Sequence, residues 1–253
     1  MKILAIIPAR YGSTRLPGKP LKVIGGKPMI QRVYEQVSSY HAIEEVCVAT
    51  DDSRIANVVK GFGGKVFLTS EHHKTGTDRC IEVLEQYPKD SFDVVINVQG
   101  DEPFVRKDQL KSILELLENK NVQIASLKKR ITDKTELFDP NSVKVATDIN
   151  NRALLFSRHP IPYVRDEEQE NWLSQFSFYK HLGIYGFKAS VLMGIKGLEQ
   201  GSLEKAESLE QLRWMENGLN IYLAETAFQS PSVDTEEDLI TVENFLKKHK
   251  EFL

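Results

Sequence analysis

The sequence is poor in cysteine, in long apolar runs and in any excess of positive charge, and each shortage narrows the reading. Cys47 and Cys80 are its only cysteines, too few for a disulfide framework and without metal-site spacing. No apolar stretch approaches the ~20 residues that span a bilayer. MKILAIIPAR opens the chain with a short hydrophobic run but no small-residue cleavage site, so it reads as a strand and not a signal peptide. The expected location is the cytoplasm, with no membrane partner. Lys and Arg number 33 against 36 Asp and Glu, a net charge of −3, which argues against a general nucleic-acid binder. There is no internal repeat, low-complexity tract or Pro/Gly/Ser linker, so one domain over residues 1–253 is expected.

What is present begins with alternation. KILAIIPA, EEVCVATD, KVFLTS and FDVVINVQGD are short β-branched runs that end in small or polar residues. Between them PMIQRVYEQVSSY has Pro28 near its first turn, and SRIANVVKGFGG has an N-cap-like Ser53 and terminal glycines. QLKSILELLEN spaces Leu110, Ile113, Leu114 and Leu117 along one helical face. This pattern predicts an α/β fold, a Rossmann-like, mostly parallel sheet with helices on both faces. In such sheets ligands bind at the carboxyl ends of strands. The junctions Pro8–Lys19, Thr50–Asp52 and Gln99–Pro103 are therefore the places to search.

Further on, residues 143–158 read as a hairpin turning at Asn150–Asn151, and HLGIYGF as another extended piece. Together they predict an antiparallel excursion at about 143–190, suited to substrate contact or pairing between subunits. From residue 203 a helix is expected, with Leu203, Ala206, Leu209 and Leu212 on one face and Gly218 as its stop. NIYLAETA and TEEDLITVENFLKKH read as a last strand and a last helix.

The loop after the first strand carries Arg10, Arg15 and Lys19 without an acid. It is not a Walker loop: Gly12 and Gly18 are one residue too far apart, and Pro20 stands where a hydroxyl belongs. The dinucleotide fingerprint is absent. Yet Ser13 and Thr14 donate hydrogen bonds, Gly12 and Gly18 let backbone approach a ligand, and two guanidinium forks with an ammonium suit phosphate oxygens. A polyanion site and a solvated basic loop both remain open. Asp101, in QGDEP at a strand end, is either a turn residue or a ligand for a divalent cation shared with substrate phosphates. Asp234 precedes Thr235 and Asp238, whose spacing is that of a capping box, so helix capping alone would explain that stretch.

PARYGSTRLPGKPL followed by GKPMI resembles the signature of the sugar cytidylyltransferases, most closely the CMP-KDO synthetase (3-deoxy-manno-octulosonate cytidylyltransferase) family. VATDDSRI, GTDR, NVQGDEPFV, LLFSR, KHLGIYGF, ESLEQLR and VDTEEDL follow in the family's order along the whole chain. The resemblance implies transfer of CMP from CTP to the anomeric hydroxyl of an acidic eight-carbon keto sugar, KDO, for lipopolysaccharide assembly. It implies a homodimer, paired through the excursion. It makes Asp101 and Asp234 magnesium ligands, although Ser232 stands before Val233 where many relatives have glycine. Arg10, Lys19 and Asp101 become the catalytic set. Ala9, Gly76, Asp78, Arg79 and Gln99 join Arg10, Ser13, Arg15 and Lys19 around CTP. Arg158, His181, Tyr185, Glu210 and Gln211 become sugar contacts. Outside the resemblance, Asp78 and Arg79 read as a helix N-terminal acid and a surface arginine, and His72 and His73 as solvated. An amino-substituted KDO or a nonulosonate in place of KDO, and a nucleotide-binding module without turnover, are the alternatives.

Overall fold

The computed structural model describes residues 1–12, 16–229, 231, 233 and 235–252. In chain order the first part runs β1 (Ile3–Pro8), β2 (Val23–Ile24), β3 (Lys27–Pro28), α1 (Met29–Ser38), β4 (Glu45–Thr50), α2 (Ser53–Gly61), β5 (Lys65–Leu68), α3 (Gly76–Glu85), β6 (Val94–Asn97) and α4 (Lys107–Glu118). There follow β7 (Ile124–Arg130), α5 (Lys134–Phe138), β8 (Lys144–Thr147), β9 (Ala153–Ser157), α6 (Trp172–Gln175) and β10 (Tyr179–Lys188). The chain ends with α7 (Ala189–Ile195), α8 (Ser202–Glu207), α9 (Glu210–Glu216), β11 (Ile221–Glu225) and α10 (Glu236–Lys248).

Its contacts divide the chain into two compact units. The first holds residues 1–111, 188–196 and 230–253, the second 112–187 and 197–229. In the first unit β6, β1, β4 and β5 lie side by side, every pair parallel. Each residue of β1 and β6 is buried, so both faces of these strands are covered, as a parallel sheet demands. Cys47 sits in this core as a free thiol, and burial pushes its pKa up to about 12. Arg32 of α1 donates to the carbonyls of Ile24, Gly25 and Phe252, which ties the last turn of the chain to this unit.

In the second unit β7 pairs parallel with β11 and antiparallel with β10. The hairpin β8–β9 turns at Asn151, a residue with φ of 61°, and joins β10 through Lys144 and Lys180. The expected antiparallel excursion thus lies in this unit, and the fold is the mixed, mostly parallel α/β class that was expected. Leu110, Ile113, Leu114 and Leu117 of α4 are all buried, as their spacing required.

Two local expectations are corrected. Asp52, not Ser53, caps α2, accepting from the Arg54 N–H at 2.8 Å; its carboxylate takes the cap that the hydroxyl one residue later was expected to provide. The helix expected from residue 203 is broken at Ser208, which has φ of 52°. Leu203 and Ala206 are exposed, while Glu204 is buried and held by Arg213 at 2.6 Å. A buried ion pair therefore replaces the first half of the apolar face that the spacing suggested, while Leu209 and Leu212 are buried as expected. Gly218 does end the second segment, with φ of 80°.

Candidate functional site

Parallel pairing brings the carboxyl ends of β1, β4 and β6 to one edge of the first unit, and the chain leaves each strand there bonded to its neighbour. Ala9 N–H donates to the Ala49 carbonyl at 2.9 Å, and Gly100 N–H to the Pro8 carbonyl at 3.2 Å. The loop after β1 closes on itself through Gly18, whose φ of 68° and contact with the Tyr11 ring leave no place for a side chain. Gly18 is thus required by the loop's own geometry.

A pocket of about 140 Å³ opens at this edge, lined by residues that include Ala9, Arg10, Gly76, Arg79 and Gln99. These are five of the residues expected around the nucleotide. A cavity of roughly 150 Å³ takes one benzene-sized ring, so this one suits a single base and not a whole nucleotide. Gly76 keeps it open: a Cβ there would lie 3.0 Å from Pro8 Cγ and 3.3 Å from Gln99 Oε1. Gln99 donates to Asn97 Oδ1 at 3.0 Å, which fixes its amide with the oxygen left to accept. Arg10 is exposed at the rim.

Arg79 is not the surface arginine that composition suggested. It is buried, and its guanidinium binds Thr69 Oγ1 at 2.7 Å, the Ser70 carbonyl at 3.1 Å and the Asp51 carboxylate. His73 is likewise not a solvated loop residue: its Nε2 meets the Glu82 carboxylate, which also accepts from Ser70 N–H at 2.9 Å. Burial raises the Glu82 pKa, but bonds from Ser70 and His73 outweigh it and hold the carboxyl below its usual range. The pocket wall at residues 69–74 is therefore pinned from two sides. His72 is exposed, as expected. Asp78 does not line the pocket; it closes a capping box on Thr75, the helix-end role that its position alone suggested.

Beside the pocket Lys19 Nζ lies 2.7 Å from Asp101 Oδ2. The acid that the basic loop lacks in sequence is thus supplied from 82 residues away. Ser13, Arg15 and Asp234 lie outside the described residues. The helix after Asp234 is capped by Thr235 and Asp238 as expected, and Glu236 reaches Lys22 at 2.6 Å. Among the described residues no cluster of three metal-binding side chains occurs. Asp101 offers hard carboxylate oxygens, which fit magnesium arriving with a nucleotide and not a protein-built cage.

The expected sugar contacts lie in the second unit. His181 and Tyr185 of β10 face each other with ring centroids 5.2 Å apart, and Tyr185 abuts the Trp214 ring edge-on at 5.0 Å. Burial pulls the His181 pKa down to about 3, so its imidazole is neutral and acts as a hydrogen-bonding group, not a cation. Burial, with Glu210 nearby, lifts the Tyr185 hydroxyl well above its ordinary value. Glu210 opens α9 and Gln211, the next residue, is buried. Arg158 donates to the carbonyls of Glu207 at 2.7 Å, Pro140 at 2.9 Å and Ser208 at 3.4 Å.

Asp51, Glu82 and His73 were missed as site residues. Asp51 sat at a strand end already marked for search; Glu82 had no signal, because its partners come from a loop nine and twelve residues earlier.

The family described as Cytidylyltransferase matches residues 4–221. A 3-deoxy-manno-octulosonate cytidylyltransferase from Phocaeicola vulgatus is 51% identical over 253 residues, covering 99% of each chain. Among solved structures, CMP:2-keto-3-deoxy-manno-octonic acid synthetase complexed with CTP superposes with a TM-score of 0.91 at 41% identity, over 98% of this chain and all of the other. A 4-diphosphocytidyl-2C-methyl-D-erythritol synthase from Anaerococcus prevotii shares the fold alone, with a TM-score of 0.62 at 15% identity over 97% of this chain and 98% of the other.

Proposed function

The chain belongs to the cytidylyltransferase family, and from that premise we propose that it transfers CMP from CTP to the anomeric hydroxyl of 3-deoxy-D-manno-octulosonate, giving CMP-KDO and pyrophosphate. The observation that carries the proposal is a ring-sized polar pocket and the Lys19–Asp101 pair at the same strand ends. The cytosine ring enters between Ala9, Gly76 and Gln99, where the fixed Gln99 oxygen accepts from the exocyclic amine that uracil lacks. Arg10 and Lys19, with Ser13 and Arg15, bind the phosphates. In the free protein Lys19 and Asp101 neutralise each other. With nucleotide bound, Lys19 would turn to phosphate oxygens and Asp101 would hold magnesium. The ion, when bound, supplies charge neutralisation at the phosphate oxygens. Asp234 is the second proposed ligand, on the resemblance alone.

The reaction is an in-line displacement at the α-phosphorus, which needs alignment and electrostatic stabilisation more than covalent help. His181, Tyr185, Glu210 and Gln211 are the proposed contacts to sugar hydroxyls. Arg158 has three of its five N–H donors on carbonyls, and the other two remain for the sugar carboxylate. A cytoplasmic location, a homodimer and supply of the product to lipopolysaccharide assembly belong to the same proposal and rest on the resemblance. Among the described residues no helix is long and apolar enough to cross a membrane.

Pyrophosphate release from CTP, UTP, ATP and GTP, each with KDO, 8-amino-KDO and a nonulosonate, tests the whole reading. Release is expected with CTP and KDO, lost on chelating magnesium. Faster release with another sugar acid overturns the acceptor, and tight CTP binding without release under any condition overturns the enzyme.

A further inference from the structure

We infer that Ser126 holds His181 as the neutral imidazole protonated on Nε2, so that the Nδ1 lone pair accepts a hydrogen bond from a hydroxyl of the sugar acid. Ser126 is fully buried in β7. Its Oγ lies 2.8 Å from the Ile184 carbonyl, 3.1 Å from the Leu182 carbonyl and 2.9 Å from His181 Nε2. Both carbonyls fall where the register of β10 against β7 slips, between Leu182 and Gly186. Carbonyl oxygens only accept, and a hydroxyl has one proton. That proton is directed to the carbonyls. What the oxygen turns toward the imidazole is a lone pair, so Nε2 must be the donor.

A neutral imidazole with hydrogen on Nε2 has none on Nδ1. Nδ1 has no partner among the described residues. Turning the ring over would set a C–H against the Ser126 lone pair and lose the bond. Phe156, edge-on at 5.0 Å, and Tyr185, at 5.2 Å, pack against the ring. An exposed lone pair in this surrounding asks for an O–H or N–H donor and repels a carboxylate. His181 therefore reads a hydroxyl and leaves the acid group of the sugar to Arg158. Ser126 is a positioning residue, acting through the imidazole. The identity of the donor rests on the proposed function; the tautomer does not.

The decisive measurement is a ¹⁵N-resolved spectrum of the histidine rings in the full chain at pH 7, with His181 assigned by His181→Gln. A protonated Nε2 and bare Nδ1 are expected. A protonated Nδ1, or an imidazolium, overturns the inference. Ser126→Ala should then shift His181 toward a mixture of tautomers; an unchanged His181 signal also overturns it. Should that variant not fold, the wild-type spectrum alone decides. In Ser126→Ala the KM for KDO should rise about tenfold, the effect of one neutral hydrogen bond, while the KM for CTP stays. A lost tautomer with an unchanged KM for KDO overturns the hydroxyl contact. Absence of turnover in the wild type instead sinks the proposed function and leaves the tautomer standing.

Discussion

The pocket residues of the first unit and the aromatic cluster around His181 in the second are held by opposite means. Around the pocket of the first unit charge faces charge: Lys19 with Asp101, Arg79 with Asp51, His73 with Glu82. In the second unit His181 rests on a hydroxyl, Tyr185 on aromatic rings, and Gln211 is packed away from water. A triphosphate is recognised by field strength and a sugar by the direction of its hydroxyls, so each arrangement suits its proposed ligand. The charged pairs can exchange partners when a polyanion arrives. The neutral contacts are fixed beforehand. Substitutions in the first unit should therefore act on rate or on CTP affinity, and in the second on sugar affinity.

The largest effect is expected at the pair that must separate. Lys19→Ala or Asp101→Asn should lower kcat by ~10²–10³, the usual loss on removing one charge-stabilising group. The Asp101 side chain is 38% exposed but that of Lys19 only 11%, so the cost in stability should lie between the surface and the buried case, about 1–2 kcal/mol. Pyrophosphate release and urea unfolding check both halves; turnover within a few-fold of wild type would remove Lys19 and Asp101 from the chemistry.

Asp51→Asn probes a more deeply buried pair. The Arg79 side chain is only 4% exposed, so removing its counter-charge strands a buried cation. Stability should fall by about 3 kcal/mol, and the KM for CTP should rise as the wall at residues 69–74 loosens. An unchanged urea midpoint would show that Thr69 and Ser70 hold Arg79 unaided. Gly76→Ala is gentler. The added carbon first meets the Pro8 ring and the Gln99 amide, and the amide can give way, so the fold should persist. The KM for CTP should rise roughly tenfold, one tenfold step being ~1.4 kcal/mol. An unchanged KM would show that the base does not enter this pocket.

How much of this could be read from the chain depended on the range of the interaction. Buried strands such as Ile3–Pro8 announced themselves because parallel sheets need apolar residues on both faces. The Asn150–Asn151 turn and the Thr235 cap were legible because each depends on residues within a few positions. Arg79, by contrast, looked like a surface residue because its carboxylate lies 28 positions away. Glu204 and Arg213 replaced part of an apolar stripe for the same reason, since no local period records a buried ion pair. The acid for Lys19 was visible as a residue, but only the packing of β6 beside β1 joined the two.

The smallest effect concerns pH and isolates the neutral character of the second unit. His181 has its pKa pulled down to about 3, whereas an unfolded histidine titrates near 6.5. Above pH 7 both states are neutral and the residue contributes no pH dependence. As pH falls below about 6.5 the unfolded chain takes up a proton that the folded one refuses, so stability declines toward pH 3. Between pH 6.5 and 5.5 the loss should be about 1 kcal/mol. Depressed carboxylates such as Glu82 and Glu207 lose their contribution only at lower pH, near and below the ordinary glutamate range, so this window belongs to histidine. The His181→Gln variant removes the group and should flatten the difference between urea midpoints at the two pH values. Parallel curves for variant and wild type would mean that folding does not disfavour the protonated His181, and the contrast between the charged pocket of the first unit and the neutral cluster of the second would fail at its central residue.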